Sequence, residues 1–236
     1  VSHQEYRAYY DNVRSQRAVG DASPSYFYFA EVSERIQAEL GRPKMILAIR
    51  DPIEKAYSQY MHLVCDNRET LEFYDALMAE EQRRKEGWSA FWRYAESSLY
   101  ANKLKRYLEI FGAEHVKILL FEELTQAPHL VMRDLFDFLG VDSRFCPNTS
   151  TVHNKSGRPR SKRLANFLAK PNVVTSLAKT IVPESVRTPI RLALLTLNTG
   201  AKGRMDDRSR AYLREFFAAD VRQVEMILGK KLNWLR

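Results

Sequence analysis

The chain has 236 residues, 45% of them apolar, with 37 Lys and Arg against 29 Asp and Glu for a formal charge of +8. That is enough to bury a full core as one domain, and no apolar run approaches the roughly 18–20 residues a membrane span needs. The opening VSHQEYRAYYDN is too polar for a signal peptide. Two cysteines, Cys65 and Cys146, make no disulfide scaffold; both are expected in packing roles, in a reducing, cytoplasmic setting. The positive charge suggests an anionic partner: nucleic acid, a membrane surface, a polysaccharide or a phosphorylated small molecule.

In chain order, Val1 to Arg17 reads as a helix with Tyr6, Tyr9, Tyr10 and Val13 on one side. Gly20 to Pro24 is a turn or strand end, because Ser23 precedes a proline and is pushed out of helical space. Phe29 to Leu40 is a second helix, stopped by Gly41-Arg42-Pro43. Met45 to Ile49 is an apolar run suited to a buried strand. It stops on Arg50-Asp51-Pro52, and Pro52 suits the first turn of a helix with Ile53, Ala56, Tyr57 and Tyr60 on one face. A parallel strand feeding a helix ends where open α/β sheets bind ligands, which places Arg50 at the mouth of a site with Ser58 two turns on.

Asn67 to Trp92 reads as one or two helices broken at Gly87, an inserted helical region. Ser98 to Phe111 is amphipathic, with Leu99, Leu104, Tyr107, Leu108 and Phe111 on the buried face. Val116 to Phe121 is the next strand, and Pro128 to Leu139 a helix closed by Gly140. Lys155 to Lys170 holds six basic residues and no acidic one. Helical stretches at 161–169, 173–181 and 187–197 follow, core-packed or lying on a membrane surface. A last helix opens at Met205-Asp206-Asp207, with Leu213, Phe216, Phe217, Val221, Val224 and Leu228 on one stripe before Gly229. No linker or repeat separates a second domain, so residues 1–236 read as one α/β domain with a helical tail over 161–236.

Three blocks carry a family resemblance. Strand–Arg-Asp-Pro–helix–Ser, with Arg50 and Ser58 eight apart, resembles the 3′-phosphate-binding segment of sulfotransferases that use 3′-phosphoadenosine 5′-phosphosulfate (PAPS). GDASPSYF (20–27) is similar to the acidic-x-Thr/Ser-Pro-x-Tyr-Phe segment of the heparan-sulfate-type and bacterial members, and LYANKLKRYLEIFGAEHVKILLFEEL (99–124) to the family's helix, turn, strand and Glu-Glu-Leu ending. The likeness runs from about Tyr6 to Leu235. It implies a P-loop-like three-layer fold, with a central parallel sheet flanked by helices and a helical carboxyl-terminal extension. The family's amino-terminal strand and glycine-rich phosphosulfate loop have no counterpart here; loss of that part is expected rather than a degenerate, inactive relative.

The resemblance implies roles residue by residue. Arg50 and Ser58 would hold the 3′-phosphate, and Lys155, Gly157 and Arg158 match the basic loop that closes over the 3′-phosphate and adenine. Asp21 matches the acidic residue that takes the acceptor's proton. Each has a plainer alternative: Arg50 pairing with Asp51, the basic run as a solvated loop, Asp21 capping the turn before Pro24. Ala22 stands where the family often has lysine, a departure from its pattern. His3, His62, His115, His129 and His153 show no metal-ligand spacing, although His62 or His153 as base stays open. Tyr26, Phe27 and Trp88 serve in core packing or stack on adenine or acceptor. The implied reaction is in-line sulfuryl transfer from PAPS, with adenosine 3′,5′-bisphosphate as product and no metal, to a hydroxyl or amine of a carbohydrate, glycolipid or small molecule. A P-loop-type phosphoryl-transfer enzyme and a non-catalytic basic module for nucleic acid or polyanionic glycan are the alternatives; no nucleic acid is expected on the first reading.

Overall fold

The computed structural model describes residues 3–149, 193–194, 200 and 203–236. The basic run with Lys155, Gly157 and Arg158, and the helices expected over 161–197 apart from Ala193 and Leu194, lie outside the described residues. The chain divides into two compact units, one formed by Val1–Ile49 with Lys103–Thr151, the other by Arg50–Asn102 with Val152–Arg236.

In the first unit, α1 (His3–Ala8) precedes a 3-10 turn (Pro24–Phe27) and α2 (Ala30–Leu40). The helix expected from Val1 to Arg17 is thus much shorter. Tyr9, Tyr10, Asp11 and Asn12 follow it in turns, and Tyr9 is 76% exposed, so no apolar stripe continues to sustain it. Ser23 is extended (φ −121°, ψ 106°) and launches the 3-10 turn, as a residue before proline should. Strands β1 (Met45–Ile49) and β2 (Val116–Leu120) pair in parallel, Met45 opposite Val116 and Ile49 opposite Leu120. Leu47 and Ile49 face inward while Ile46 is 41% exposed, so β1 is covered on one face, not buried on both. Phe121, expected to end β2, instead opens α8 (Phe121–Gln126), which leads to α9 (Pro128–Leu139).

Pro128 occupies the first turn of α9, and Gly140 closes it in the left-handed conformation (φ 73°, ψ 31°). Lys44 donates to the Phe138 carbonyl near that end, and Lys117 pairs with Asp134 at 2.5 Å. Most of α7 (Ala101–Phe111) belongs to this unit. Leu104, Tyr107 and Phe111 are fully buried, each aromatic contributing about 1.5–3 kcal/mol on burial, while Leu108 is only half-buried. Cys146, expected in a packing role, is exposed, its Sγ 3.2 Å from His129 Nδ1.

The second unit is built on α3 (Pro52–Cys65), whose buried face is Ile53, Ala56, Tyr57, Tyr60, Met61 and Leu63. Tyr60, Phe73 and Tyr94 pack ring on ring at 4.8–6.2 Å. The inserted region forms α4 (Phe73–Met78), α5 (Glu80–Lys85) and α6 (Tyr94–Ser97), with Gly87 at φ 75° making the expected break. Glu69 and Arg83 lock it from within. The guanidinium binds both carboxylate oxygens (2.6 and 3.0 Å), the Tyr94 hydroxyl donates to Oε2 (2.6 Å), and the Thr70 and Leu71 N–H groups donate to Oε1. The two carboxylate oxygens thus accept five hydrogen bonds, the kind of pairing a buried charge requires.

The last helix, α10 (Asp207–Leu228), starts on Asp206, whose carboxylate accepts from the Ser209 N–H at 2.8 Å and the Ser209 hydroxyl at 2.6 Å. Leu213, Phe217, Val221 and Val224 form its buried stripe; Phe216, expected there, is 40% exposed, one position off the 3.6-residue period set by Leu213 and Phe217. Asp220 accepts from the Tyr100 and Ala101 N–H groups at 2.9 and 3.0 Å, satisfying two of the donors at the start of α7.

Candidate active site

In the second unit, the site forms at the start of α3. Asp51 is its N-cap: Oδ1 accepts from the Ile53 N–H (2.9 Å) and Oδ2 from the Leu235 N–H (3.3 Å). Burial holds its carboxyl above the usual range against those hydrogen bonds. Arg50, half-buried, reaches along the first turn of the helix and donates to the Glu54 carbonyl. Ser58 lies one turn beyond Glu54 on the same face, about 6 Å along the axis at 1.5 Å per residue. Its hydroxyl makes no hydrogen bond among the described residues, although a helical serine commonly bonds back to the preceding turn. Arg210 of α10 reaches the Glu54 carboxylate at 3.2 Å and the Arg236 carbonyl at 2.8 Å, balancing the acid next to Arg50. The result is a helix face that brings together a guanidinium, a hydroxyl and a carboxylate paired with Arg210.

In the first unit, Asp21 is exposed, and its carboxylate accepts from two phenols, Tyr6 at 2.9 Å and Tyr26 at 2.8 Å, both on Oδ2. A turn-capping aspartate would spend its oxygens on backbone N–H groups instead. The Tyr10 hydroxyl lies 3.0 Å from that of Tyr6. Tyr26 is anchored through its carbonyl, which accepts from the buried Tyr107 hydroxyl at 2.8 Å, and the Phe27 ring packs edge-on against Tyr107. Phe27 is therefore a packing residue, and the Tyr26 hydroxyl serves the carboxylate. Trp88 belongs to an exposed group of the second unit, with Arg83 over its ring at 5.0 Å.

Sequence reasoning missed Tyr6, Arg210 and the Tyr26–Asp21 bond. Nothing local marks Tyr6, 15 residues from Asp21, or Arg210, 156 residues from Glu54. Among the described residues, no helix is long and apolar enough to cross a membrane and no cluster of three or more His, Cys, Asp or Glu could hold a metal.

A parallel strand leading through Arg-Asp-Pro into a helix is an α/β architecture. Residues 1–144 match the model of the Sulfotransferase family, and the chain belongs to that family. A crystal structure of a sulfotransferase from Alicyclobacillus acidocaldarius superposes with a TM-score of 0.73 at 31% identity, covering 98% of this chain and 72% of that one. Mouse heparan sulfate glucosamine 3-O-sulfotransferase 3B1 is 23% identical over 215 residues, 91% of this chain and 49% of the relative. The membrane-associated sulfotransferase kil1 of Dictyostelium discoideum is 19% identical over 245 residues, 69% of this chain and 52% of the relative. The chain thus spans about half the length of the curated relatives it matches.

Proposed function

We propose that this chain works as a PAPS-dependent sulfotransferase, moving a sulfuryl group to a hydroxyl or amine of a carbohydrate, glycolipid or small-molecule acceptor, with its two units as parts of one sulfotransferase domain. The observation that carries this reading is the α3 face, where the Arg50 guanidinium turned onto the Glu54 carbonyl precedes the open Ser58 hydroxyl. These groups fit a 3′-phosphate: a delocalised cation for its charge and a neutral donor beside it. PAPS supplies the activated sulfuryl group. Arg50 and Ser58 bind its 3′-phosphate, Lys155, Gly157 and Arg158 close over it, and Asp21 accepts the acceptor's proton, which requires an ionised carboxylate within about 3 Å. The exposed Cys146 thiol suits a reducing, cytoplasmic setting.

Calorimetry of adenosine 3′,5′-bisphosphate binding to the full-length protein tests the reading, with 5′-AMP and Arg50→Ala as comparisons. Binding without added metal, weakened about 10- to 100-fold by loss of either the 3′-phosphate or the guanidinium, is expected from charge-assisted hydrogen bonds of roughly 1.5–3 kcal/mol. Equal affinity for 5′-AMP and the bisphosphate would refute it.

A further inference from the structure

The Asp21 carboxylate is held in a way that its proposed role as base does not by itself require. Both phenols approach the same oxygen, Oδ2. No described residue donates to Oδ1. The donors come from opposite sides of the sequence, Tyr6 on α1 and Tyr26 on the 3-10 turn, and each is braced in its turn, Tyr6 by the Tyr10 hydroxyl and Tyr26 by Tyr107. An exposed aspartate otherwise samples its side-chain rotamers freely, which costs a general base its aim.

We propose that Tyr6 and Tyr26 are positioning residues that fix Asp21 by converging on Oδ2, and so select Oδ1 as the oxygen that takes the acceptor's proton. This rests on the reading of Asp21 as the base. The proton of the acceptor hydroxyl passes to Oδ1 while that hydroxyl's oxygen becomes bonded to sulfur, the sulfur–oxygen bond to the donor breaks, and adenosine 3′,5′-bisphosphate leaves with those electrons. Both phenols stay protonated through neutral pH and are permanent donors. The bond to Tyr10, then burial and the Asp21 bond hold Tyr6 far above the ordinary phenol range; the Asp21 bond, then burial, raise Tyr26.

The test uses the full-length protein with isotope-labelled aspartate, Asp21→Asn assigning the resonances. The Hα–Hβ couplings of Asp21 report its χ1 rotamer. A single rotamer is expected in the native protein, with averaging in Tyr6→Phe and Tyr26→Phe and most strongly in the double variant. Couplings unchanged in the double variant overturn the proposal. They need no acceptor, so they decide the positioning on their own.

Kinetics with PAPS and a desulfated heparan oligosaccharide then read the catalytic consequence. Each phenylalanine variant should lower kcat about 2- to 10-fold with KM for PAPS unchanged, as expected for one lost hydrogen bond, and should have no further effect in the Asp21→Asn background. A further loss in that background would show the tyrosines acting elsewhere and overturn the proposal. Native-like turnover in Asp21→Asn itself overturns the base assignment instead, leaving the coupling result intact.

Discussion

Replacing Glu80 with glutamine should stabilise the protein at pH 8 and remove much of its pH dependence between about pH 4.5 and 7. Glu80 opens α5, and its carboxylate accepts from the N–H groups of Ala95 and Glu96 at 2.8 and 3.3 Å, at the start of α6. Burial is the main reason its carboxyl is raised from the ordinary 4.5 to about 7; the backbone N–H groups pull it down, and the charge of Glu96 adds to the rise. The folded state therefore binds this proton more tightly than the unfolded chain. Well below pH 4.5 Glu80 is neutral in both states and costs nothing; as pH rises toward 7 mainly the unfolded state releases the proton, so stability falls and stays low above 7. A rise from 4.5 to about 7 corresponds to about 3 kcal/mol at 1.36 kcal/mol per pH unit. Glutamine keeps one carbonyl oxygen for Ala95 but turns an amide toward the weaker Glu96 donor, giving back about 1 kcal/mol. The net expectation is a gain of about 2 kcal/mol at pH 8 and a small loss at pH 4.5. Urea denaturation of both proteins at the two pH values measures it. Equal pH dependence of the two, or a less stable variant at pH 8, would refute the reasoning.

Removing one partner of the Glu69–Arg83 pair, as in Arg83→Met, should destabilise by about 3–5 kcal/mol, because it strands a buried carboxylate that also carries Tyr94; urea midpoints read this directly. Asp206→Ala removes the N-cap of the 22-residue α10 and should cost about 0.5–2 kcal/mol, with Asp206→Asn recovering most of it.

The strand–Arg-Asp-Pro–helix junction was legible because local chemistry alone determines it. Pro52 suits only the first turn and Asp51 is a strong cap, so sequence spacing and three-dimensional spacing coincide. Gly87 and Gly140 were legible for the same reason, each marking a positive φ where a helix must stop. The amino-terminal helix was misread because Tyr6, Tyr9 and Tyr10 look like an apolar stripe, whereas Tyr6 and Tyr10 are placed by their hydroxyl groups. Phe216 was misjudged because its spacing of three from Leu213 admits it to the stripe as readily as Phe217, while the structure leaves it 40% exposed. Arg210 and the Tyr6–Asp21 bond were out of reach, since hydrogen bonds over such separations leave no periodic trace.

The cap on α3 joins residues 184 positions apart, Asp51 and Leu235, and Leu235 holds a left-handed backbone (φ 64°) that bulky side chains ordinarily avoid. During synthesis the first turn of the Arg50 helix gains that hydrogen bond only after residue 235 has left the ribosome, and the Arg210 link to Arg236 comes later still. Contacts of such long range close late. The cap of α3 is thereby completed long after the helix itself has been synthesised, so the start of this helix depends on a partner far along the sequence.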